Sequence, residues 1–453
     1  MTALDRPPRA QSGRADADRE ELRARYRRVR NLTEALAAPL RPEDQVIQSM
    51  ADVSPTKWHR GHTTWFFETF LLEPTLAGYE VFDTDFRYLF NSYYEAVGPR
   101  HPRSQRGLLS RPTVEEVARY RAHVDAAMDK LIDRCDADAW PAFADLAVLG
   151  FHHEQQHQEL LLMDIKHVLF NNPVDSVHVE APLASVASAR PMRMLDFTGG
   201  LVEIGHDAEH PESDFAFDNE SPRHRVYLEP FRIADRLVTA GEWLEFMADG
   251  GYAKPELWLS DGWYAVQEHG WDSPLYWRDD GPDGWSLFTL NGWRPVAPSE
   301  PVVHVSHYEA DAFARWRGAR LPTEFEWEHA VESVPAHAQF ERAGLLDSAP
   351  SRARLHPASA PDAGEFAQAF GDVWQWTASA YLPYPRFAPA AGAVGEYNGK
   401  FMSGQMVLRG GACITPASHV RVTYRNFFPP GGRWLFGGVR LAADASSTAR
   451  TRS

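Results

Sequence analysis

Residues 140–168, WPAFADLAVLGFHHEQQHQELLLMDIKHV, carry the pattern that decides the fold of the first part of the chain. This stretch predicts a long helix that is broken by Asn171-Asn172-Pro173. Within it, His153 and His157 are four residues apart, so their imidazole rings lie on one face of the helix. Two imidazoles at this spacing can hold one metal ion, but two ordinary helix histidines explain the spacing equally well.

Three further helices are predicted upstream of this stretch. The last of them opens with a capping box between Thr113 and Glu116. Together the four helices predict a four-helix bundle with one long connection, residues 73–112. The three upstream segments are Arg19–Ala38, Lys57–Leu72 (after cap signals at Ser54-Pro55-Thr56) and Thr113–Cys135.

A third metal ligand is available on the second predicted helix, which carries His59 and His62. His62 lies beside an aromatic run and is expected to face inward. His59 lies between Lys57 and Arg60 and is expected to be more exposed. Three neutral imidazoles leave open positions on a metal ion for a substrate or dioxygen, so His62, His153 and His157 form the favoured set.

The same motif matches the His-Glu-x-x-His pattern of zinc hydrolases, in which Glu154 would act as the base. Leu160 occupies the position of the glycine in the extended form of that motif. The nearest downstream carboxylate, Glu180, falls in a predicted linker. A zinc hydrolase is therefore the weaker interpretation.

The composition changes after Pro173. The chain becomes rich in Gly, Pro and Trp, with strand-like runs at 226–228 and 301–306, which predicts an irregular α+β domain with long loops. Helices are expected there at Ala240–Met247, Glu309–Arg317 and Glu324–Val331. The predicted organisation is a disordered tail (1–18), the bundle with the metal ligands (19–173), a linker (174–194), the α+β domain (195–443) and a second disordered tail (444–453).

Composition excludes several classes of protein. The 453 residues include 46 Lys and Arg against 62 Asp and Glu, a net charge of −16, which argues against a nucleic-acid or anionic-membrane partner. No run approaches the roughly 18 apolar residues of a membrane span. Cys135 and Cys413 are the two cysteines, so a disulfide scaffold and a cysteine-rich zinc module are excluded. With no apolar signal segment at the N-terminus, a cytoplasmic location is expected.

The sequence resembles the ergothioneine-biosynthesis sulfoxide synthases of the EgtB type. The resemblance spans roughly residues 20–443 and includes the segments Trp58–His62 and His153–Glu159. Further matching phrases in the second half are FDNESP (217–222), RLPTEFEWE (320–328), GDVWQWT (371–377), RGG (409–411), YRN (424–426) and GVRL (438–441).

This resemblance implies a multidomain fold. A DinB-like four-helix bundle precedes a C-terminal α+β domain like the formylglycine-generating enzyme, which is related to C-type lectins. It also implies an iron(II) cofactor held by His62, His153 and His157. The family uses O2 to join the thiol sulfur of a cysteine-type substrate to the imidazole of hercynine (Nα-trimethylhistidine), and one oxygen atom ends on sulfur as a sulfoxide.

The resemblance also assigns residues to hercynine. Gln156 and Asn426 match positions that orient this substrate, although each is an ordinary helix or turn residue without the resemblance. Phe427 and Phe428 follow Asn426 and can surround the trimethylammonium group by cation–π attraction. A role in core packing explains these two phenylalanines equally well.

The thiol donor is expected to be L-cysteine. The branch that uses γ-glutamylcysteine has Trp-Asp after the asparagine and an arginine four residues further, where this chain has Phe427, Phe428 and Gly432. Arg433 is adjacent and could compensate, so γ-glutamylcysteine stays the alternative donor.

The long loop 91–103 resembles the branch that accepts free cysteine, in which paired tyrosines lie in the active site. Tyr93 and Tyr94 are therefore predicted proton donors, with Tyr384 as the competing tyrosine. An arginine of this region is predicted to bind the cysteine carboxylate through a planar fork of two donors. The candidates are Arg100 and Arg103, with Arg106 also considered.

Other functions remain open. A formylglycine-generating enzyme needs a cysteine pair shortly after Arg-Gly-Gly, but Cys413 stands alone there. An ovothiol-type synthase carries an appended methyltransferase domain, which is not expected because few residues follow Leu441. A zinc-dependent DinB-like hydrolase or thiol transferase on the same histidines is the main alternative. A lectin-like binding module is the third, and the three-histidine set argues against it.

Overall fold

A computed structural model describes residues 9–180, 189–207, 215–332, 345–346, 353–361 and 366–445. The chain forms two compact units, Met1–Leu161 and Leu162–Ser453. Each contains the type of structure predicted for it, helical in the first and mixed in the second. The division falls before the predicted domain end at residue 173, inside the long helix that carries His153 and His157.

The first unit contains the first three of the four predicted long helices and most of the fourth, which continues past Leu161. The first helix begins at Arg9, within the stretch predicted to be a disordered tail. The second ends at Phe67 and continues as one π-helical segment, Glu68–Leu72. The helices are α1 (Arg9–Ala37), α2 (Thr56–Phe67), α3 (Glu73–Thr75), α4 (Phe86–Leu89), α5 (Val114–Arg134) and α6 (Trp140–Phe170).

The capping box predicted at the start of α5 is present. The Glu116 amide donates to the Thr113 hydroxyl (3.1 Å), and the Thr113 amide donates to the Glu116 carboxylate (2.7 Å). These two bonds satisfy amide groups that the first turn of a helix leaves without partners.

Every residue of α2 is buried, including its charged residues. Arg60 is held by Glu34 (2.6 Å) and by the side-chain oxygen of Gln45 (3.0 Å). The ammonium group of Lys57 donates to the carbonyl of Pro112 (2.9 Å). These partners offset the cost of burying charged groups, so a helix with several charged residues can lie within the bundle.

The second unit is built from small sheets and short helices. Three strands form a sheet in the order β1-β4-β12, four form another in the order β10-β9-β8-β11, and β2-β3 and β5-β6-β7 are separate antiparallel sheets. The strands are β1 (Met194–Phe197), β2 (Gly200–Ile204), β3 (His224–Leu228), β4 (Phe231–Ala234), β5 (Trp277–Asp279), β6 (Trp285–Thr289), β7 (Gly292–Pro295), β8 (Trp374–Ala380), β9 (Met406–Arg409), β10 (Asn426–Phe428), β11 (Gly437–Gly438) and β12 (Ala442–Asp444).

The three helices predicted in this unit are present, whereas the helices Ser260–His269 (α8) and Glu396–Gly399 (α11) were not predicted. Helices α7 and α9 both begin with a capping box, from Thr239 and Ser306. Helix α10 places Trp327, Ala330 and Val331 in the core. The helices are α7 (Ala240–Ala248), α8 (Ser260–His269), α9 (His307–Trp316), α10 (Glu324–Glu332) and α11 (Glu396–Gly399).

The strand predicted at 301–306 is wrong. His304 has a φ of 67°, a left-handed conformation that interrupts an extended chain. The segment is nevertheless buried and bonded, since the Val302 amide donates to the carbonyl of Val238 (3.0 Å). Its apolar residues fill the core of the unit without forming a regular strand.

Within the described part of the chain, no helix is both long enough and apolar enough to cross a membrane. The tail predicted after residue 443 lies largely outside the described residues, which end at 445, and so does part of the predicted linker, residues 181–188.

Candidate metal centre

Three buried histidines of the first unit converge. His62 comes from α2, and His153 and His157 come from successive turns of α6. One nitrogen atom from each ring lies within 4.8 Å of the others, and all three side chains are buried. Two helices of the bundle therefore bring three imidazoles together, and two of them have the i, i+4 spacing seen in the sequence.

The hydrogen bond of His62 determines which of its two ring nitrogens can bind a metal. Its Nδ1 lies 2.6 Å from the carbonyl oxygen of Phe90, which can only accept, so Nδ1 carries the hydrogen. The lone pair is then on Nε2, which lies 3.1 Å from Nε2 of His153. A carbonyl partner of this kind orients metal-binding histidines in proteins generally.

The three rings are also in the protonation state that a metal requires. Burial, with repulsion from His153, lowers the pKa of His62 well below its usual range. Burial lowers the pKa of His153 to about 4, and burial together with His62 lowers that of His157. All three imidazoles are therefore neutral near pH 7.

These residues fit a divalent transition metal. Two nitrogens that each lie about 2.1 Å from one ion are themselves about 3.0–3.4 Å apart, depending on the angle between the bonds. The 3.1 Å between Nε2 of His62 and Nε2 of His153 is in this range. A three-histidine set suits iron, zinc, copper or nickel, and it leaves coordination positions for substrates.

Aromatic rings hold His62 in place. Its imidazole stacks on Trp58 (centroids 4.7 Å apart, 12° between planes) and on Trp65 (5.7 Å, 15°). The guanidinium of Arg106 lies 3.3 Å from the centre of the Trp58 ring. This support was not predicted, although the spacing of Trp58, His62 and Trp65 on one helical face is a signal for it.

The expectation that His59 is exposed is wrong. Its side chain is 2 % exposed, and its Nδ1 lies 2.9 Å from Nδ1 of His157. The neighbouring charges, Lys57 and Arg60, are buried with their own partners and do not draw this turn of α2 into solvent.

Glu154 is not available as a base. Its carboxylate accepts from Arg30 (3.0 Å), Arg121 (2.9 Å) and the hydroxyl of Thr33 (2.6 Å). Burial alone would raise its pKa, but the two guanidinium groups lower the pKa to about 2. A carboxylate in this state does not take up a proton near neutral pH, which weighs against the zinc-hydrolase interpretation of the motif.

The two predicted tyrosines occupy different environments. Tyr94 is buried beside Trp65 (5.6 Å between ring centroids) and Phe70 (5.1 Å), so it adjoins the rings that support His62. Tyr93 is half-buried, and its hydroxyl accepts from Arg103 at 3.5 Å.

The three arginines of this region also differ. Arg100 is paired with Glu95 (3.0 Å) at the surface, and Arg103 donates to the carbonyl of Asp52 as well as to Tyr93. Arg106 is buried, with hydrogen bonds to the hydroxyls of Ser54 (2.9 Å) and Ser92 (3.1 Å). Gln156 is half-buried on α6, directly before His157.

The remaining predicted residues belong to the second unit. Asn426, Phe427 and Phe428 form β10, which pairs with β9, and all three are half-buried. Phe427 stacks on Tyr381 with 4.2 Å between ring centroids, and Phe428 contacts Trp434. The hydroxyl of Tyr384 is within 3.3 Å of both Glu324 and Arg409, so this competing tyrosine is part of a buried charged network.

Two segments of the chain match models of known protein families. Residues 25–161 match the model of the DinB superfamily, and residues 181–445 match that of the sulfatase-modifying factor enzyme 1-like domain. The chain is thus an enzyme in which a DinB helical domain is joined to a domain of the sulfatase-modifying factor type.

Relatives of this architecture give the family. Hercynine oxygenase of Mycolicibacterium thermoresistibile is 33% identical over 96% of this chain and 97% of its own length. Hercynine oxygenase of Mycolicibacterium smegmatis is 34% identical over 72% of this chain and 77% of its own length. Ergothioneine biosynthesis protein 1 of Schizosaccharomyces pombe is 26% identical over 59% of this chain and 33% of its own length. The chain belongs to the hercynine oxygenase family, and it is an oxidoreductase that uses oxygen.

Proposed function

We propose that this enzyme joins hercynine to L-cysteine in ergothioneine biosynthesis and produces hercynylcysteine sulfoxide. The names of its relatives support hercynine as a substrate and ergothioneine biosynthesis as the pathway. The observation that carries the proposal is the set of three buried, neutral histidines with nitrogens within 4.8 Å of one another. Such a set leaves room on one metal ion for more than one reactant.

The proposed reaction balances without a further reductant. An imidazole C–H bond and a thiol S–H bond are lost, and a C–S bond forms. One oxygen atom of O2 bonds to sulfur, and the other leaves as water with the two hydrogens. The carbon and sulfur centres supply all four electrons that O2 accepts.

The proposed cofactor is iron(II), held by His62, His153 and His157. Bound there, iron(II) supplies the redox chemistry and the open positions that bring thiol, imidazole and O2 together, so that a reaction of three molecules occurs within one complex. The protein contributes a set of rings that is already aligned. The Phe90 carbonyl orients His62, and Trp58 and Trp65 restrict its rotation.

Tyr93 and Tyr94 are the proposed proton donors. Tyr94 contacts Trp65, one of the two rings that stack on His62. The guanidinium of Arg103 donates to the hydroxyl of Tyr93 and can hold it in place. Of the two arginines proposed for the cysteine carboxylate, Arg103 is the better candidate. It already contacts Tyr93, whereas Arg100 is paired with Glu95.

Gln156, Asn426, Phe427 and Phe428 remain the proposed residues for hercynine. Gln156 directly precedes His157 on α6, and Asn426 is half-buried on β10, where its side-chain oxygen accepts from the Phe427 amide (2.9 Å). The stacked ring of Phe427 supports either a substrate-binding or a packing role. A cytoplasmic location also remains a prediction, supported by two cysteines that are both free.

A pair of parallel reactions tests the substrates. The iron-loaded enzyme is given hercynine and 18O2 with either L-cysteine or γ-glutamylcysteine, and the products are identified by mass spectrometry. We expect a hercynylcysteine sulfoxide that contains one labelled oxygen atom, formed faster from cysteine. Faster turnover of γ-glutamylcysteine would reject the proposed donor, and a product without label would reject O2 as the source of the sulfoxide oxygen.

A further inference from the structure

His59 is a buried histidine outside the set of three that converge. It lies three residues before His62 on α2, so the two rings share a face of that helix. Its Nδ1 lies 2.9 Å from Nδ1 of His157, and the centroids of the two rings are 5.2 Å apart. The ring of His157 thus has one α2 histidine, His62, at 4.6 Å and the other, His59, at 5.2 Å.

A metal bound to His157 would determine where the hydrogen lies in this contact. A neutral imidazole carries one hydrogen, on either Nδ1 or Nε2. Because Nδ1 of His157 is engaged with His59, Nε2 is the nitrogen left for a metal. With a metal on Nε2, the hydrogen of His157 is on Nδ1, and Nδ1 of His59 accepts it.

The arrangement around His62 shows the same logic with another acceptor. There the carbonyl of Phe90 takes the Nδ1 hydrogen and leaves Nε2 free. By contrast, Nδ1 of His153 has no hydrogen-bond partner among the described residues. His59 is therefore placed to accept the Nδ1 hydrogen of His157, as the Phe90 carbonyl accepts that of His62.

We propose that His59 is a positioning residue of the metal centre. It accepts the Nδ1 hydrogen of His157 and holds that ring in the tautomer and orientation in which Nε2 faces the metal. Partners of this kind commonly change metal affinity by about 10- to 100-fold when they are removed. The inference rests on the metal-binding part of the proposed function.

Substitutions that differ in where they place a polar atom test this role. The amide of His59→Asn reaches the position of Nδ1, whereas the amide of His59→Gln extends further from the backbone, and His59→Leu offers no acceptor. Co(II) serves as the probe, with its affinity measured by competition with a chromophoric chelator and its geometry by its visible absorption spectrum. Thermal unfolding of the metal-free proteins is followed separately.

A matched control is His152→Leu. His152 is also buried and next to a proposed ligand, but its Nε2 contacts Arg25 at 2.9 Å. Its removal is expected to lower the unfolding temperature without changing Co(II) affinity or spectrum.

We expect Co(II) affinity to fall about 10- to 100-fold in His59→Leu and His59→Gln, with a changed spectrum, and to be largely retained in His59→Asn. If His59→Leu does not fold, the comparison of Asn with Gln decides. Wild-type affinity and spectrum in all His59 variants, or an equal loss in His152→Leu, would overturn the inference while the metal site stands. If the wild-type protein binds no Co(II), the metal part of the proposed function fails and this inference fails with it.

Discussion

At the scale of single residues, the site depends on which buried polar groups have partners. Glu154 is adjacent to His153, yet its oxygens are bound to Arg30, Arg121 and Thr33. It is a structural ion of the bundle core, and the two arginines would be left without their shared counter-charge if it were lost. The same two-residue segment thus holds a proposed ligand and a purely structural charge.

Glu154→Gln tests this division of roles. Loss of the buried charge is expected to lower the free energy of unfolding by about 3–5 kcal/mol, because it leaves Arg30 and Arg121 under-compensated. Chemical denaturation measures this change. The folded fraction, which still has His153 and His157, is expected to bind metal and to form product, whereas a zinc hydrolase with Glu154 as its base would lose activity outright.

Tyr93→Phe and Tyr94→Phe test the proposed proton donors. Removing the hydroxyl that delivers the proton is expected to divert turnover toward simple oxidation of the thiol, because proton transfer by a positioned side chain contributes about 10²- to 10⁴-fold to a step. The ratio of sulfoxide product to oxidised thiol is the measurement. An unchanged ratio in both variants would remove both tyrosines from the mechanism.

At the scale of elements, α2 is the least ordinary helix of the bundle. It is buried along its whole length, and the lack of a side chain at Gly61 allows α2 to pack closely against the ring of Phe90. A Cβ atom at Gly61 would overlap the ring of Phe90, the residue whose carbonyl orients His62. The packing of α2 and the orientation of a proposed ligand are thus determined by the same residues.

Gly61→Ala is therefore expected to be destabilising. An alanine in a helix interior normally adds about 1 kcal/mol of stability relative to glycine. Here the overlap with Phe90 is expected to cost about 1–3 kcal/mol and to weaken metal binding by displacing the Phe90 carbonyl. Thermal unfolding and Co(II) affinity measure the two effects, and the double variant with Phe90→Leu is expected to recover part of both losses. A stabilised Gly61→Ala protein would contradict the packing described for α2.

Local patterns predicted much of this architecture. The capping box at Thr113 and the spacing of His153 and His157 depend on residues close in sequence, so they are visible without a structure. The burial of His59 depends on distant partners such as Glu34 for the adjacent Arg60, which sequence spacing does not reveal. The interruption at His304 similarly arises from a backbone conformation that its apolar neighbours conceal.

At the scale of the whole molecule, α6 is shared by the two compact units, since the division lies between Leu161 and Leu162. The part after this point belongs to the second unit. There the ammonium group of Lys166 lies 2.6 Å from Nε2 of His304, and Phe170 contacts Tyr276 with 4.9 Å between ring centroids. The last part of α6 therefore packs against residues of the second unit, to which it belongs.

The burial of Lys166 predicts that the free energy of unfolding depends on pH. Burial lowers its pKa to about 7, whereas in the unfolded chain it is about 10.4. Between these values the unfolded state binds more protons, so this lysine makes the enzyme more stable as pH rises from about 7 to about 10. Relative to Lys166→Met, the wild-type free energy of unfolding is expected to gain up to about 1.4 kcal/mol per pH unit in that range.

Denaturation at a series of pH values measures this difference. Lys130, which is exposed on α5, provides the control. Lys130→Met is expected to show no such dependence on pH. A parallel pH profile for wild type and Lys166→Met would mean that Lys166 is not held in its neutral form.

In the proposed function, three histidines hold an iron(II) ion, and the enzyme joins hercynine to cysteine with O2. The most direct measurement is reconstitution of the metal-free enzyme without oxygen, with either iron(II) or zinc(II), followed by hercynine, cysteine and air. We predict hercynylcysteine sulfoxide from the iron-loaded enzyme, none from the zinc-loaded enzyme, and none from a His153→Ala variant treated with iron. Absence of the sulfoxide with iron, or equal amounts of it without iron, would reject the proposed iron-dependent reaction.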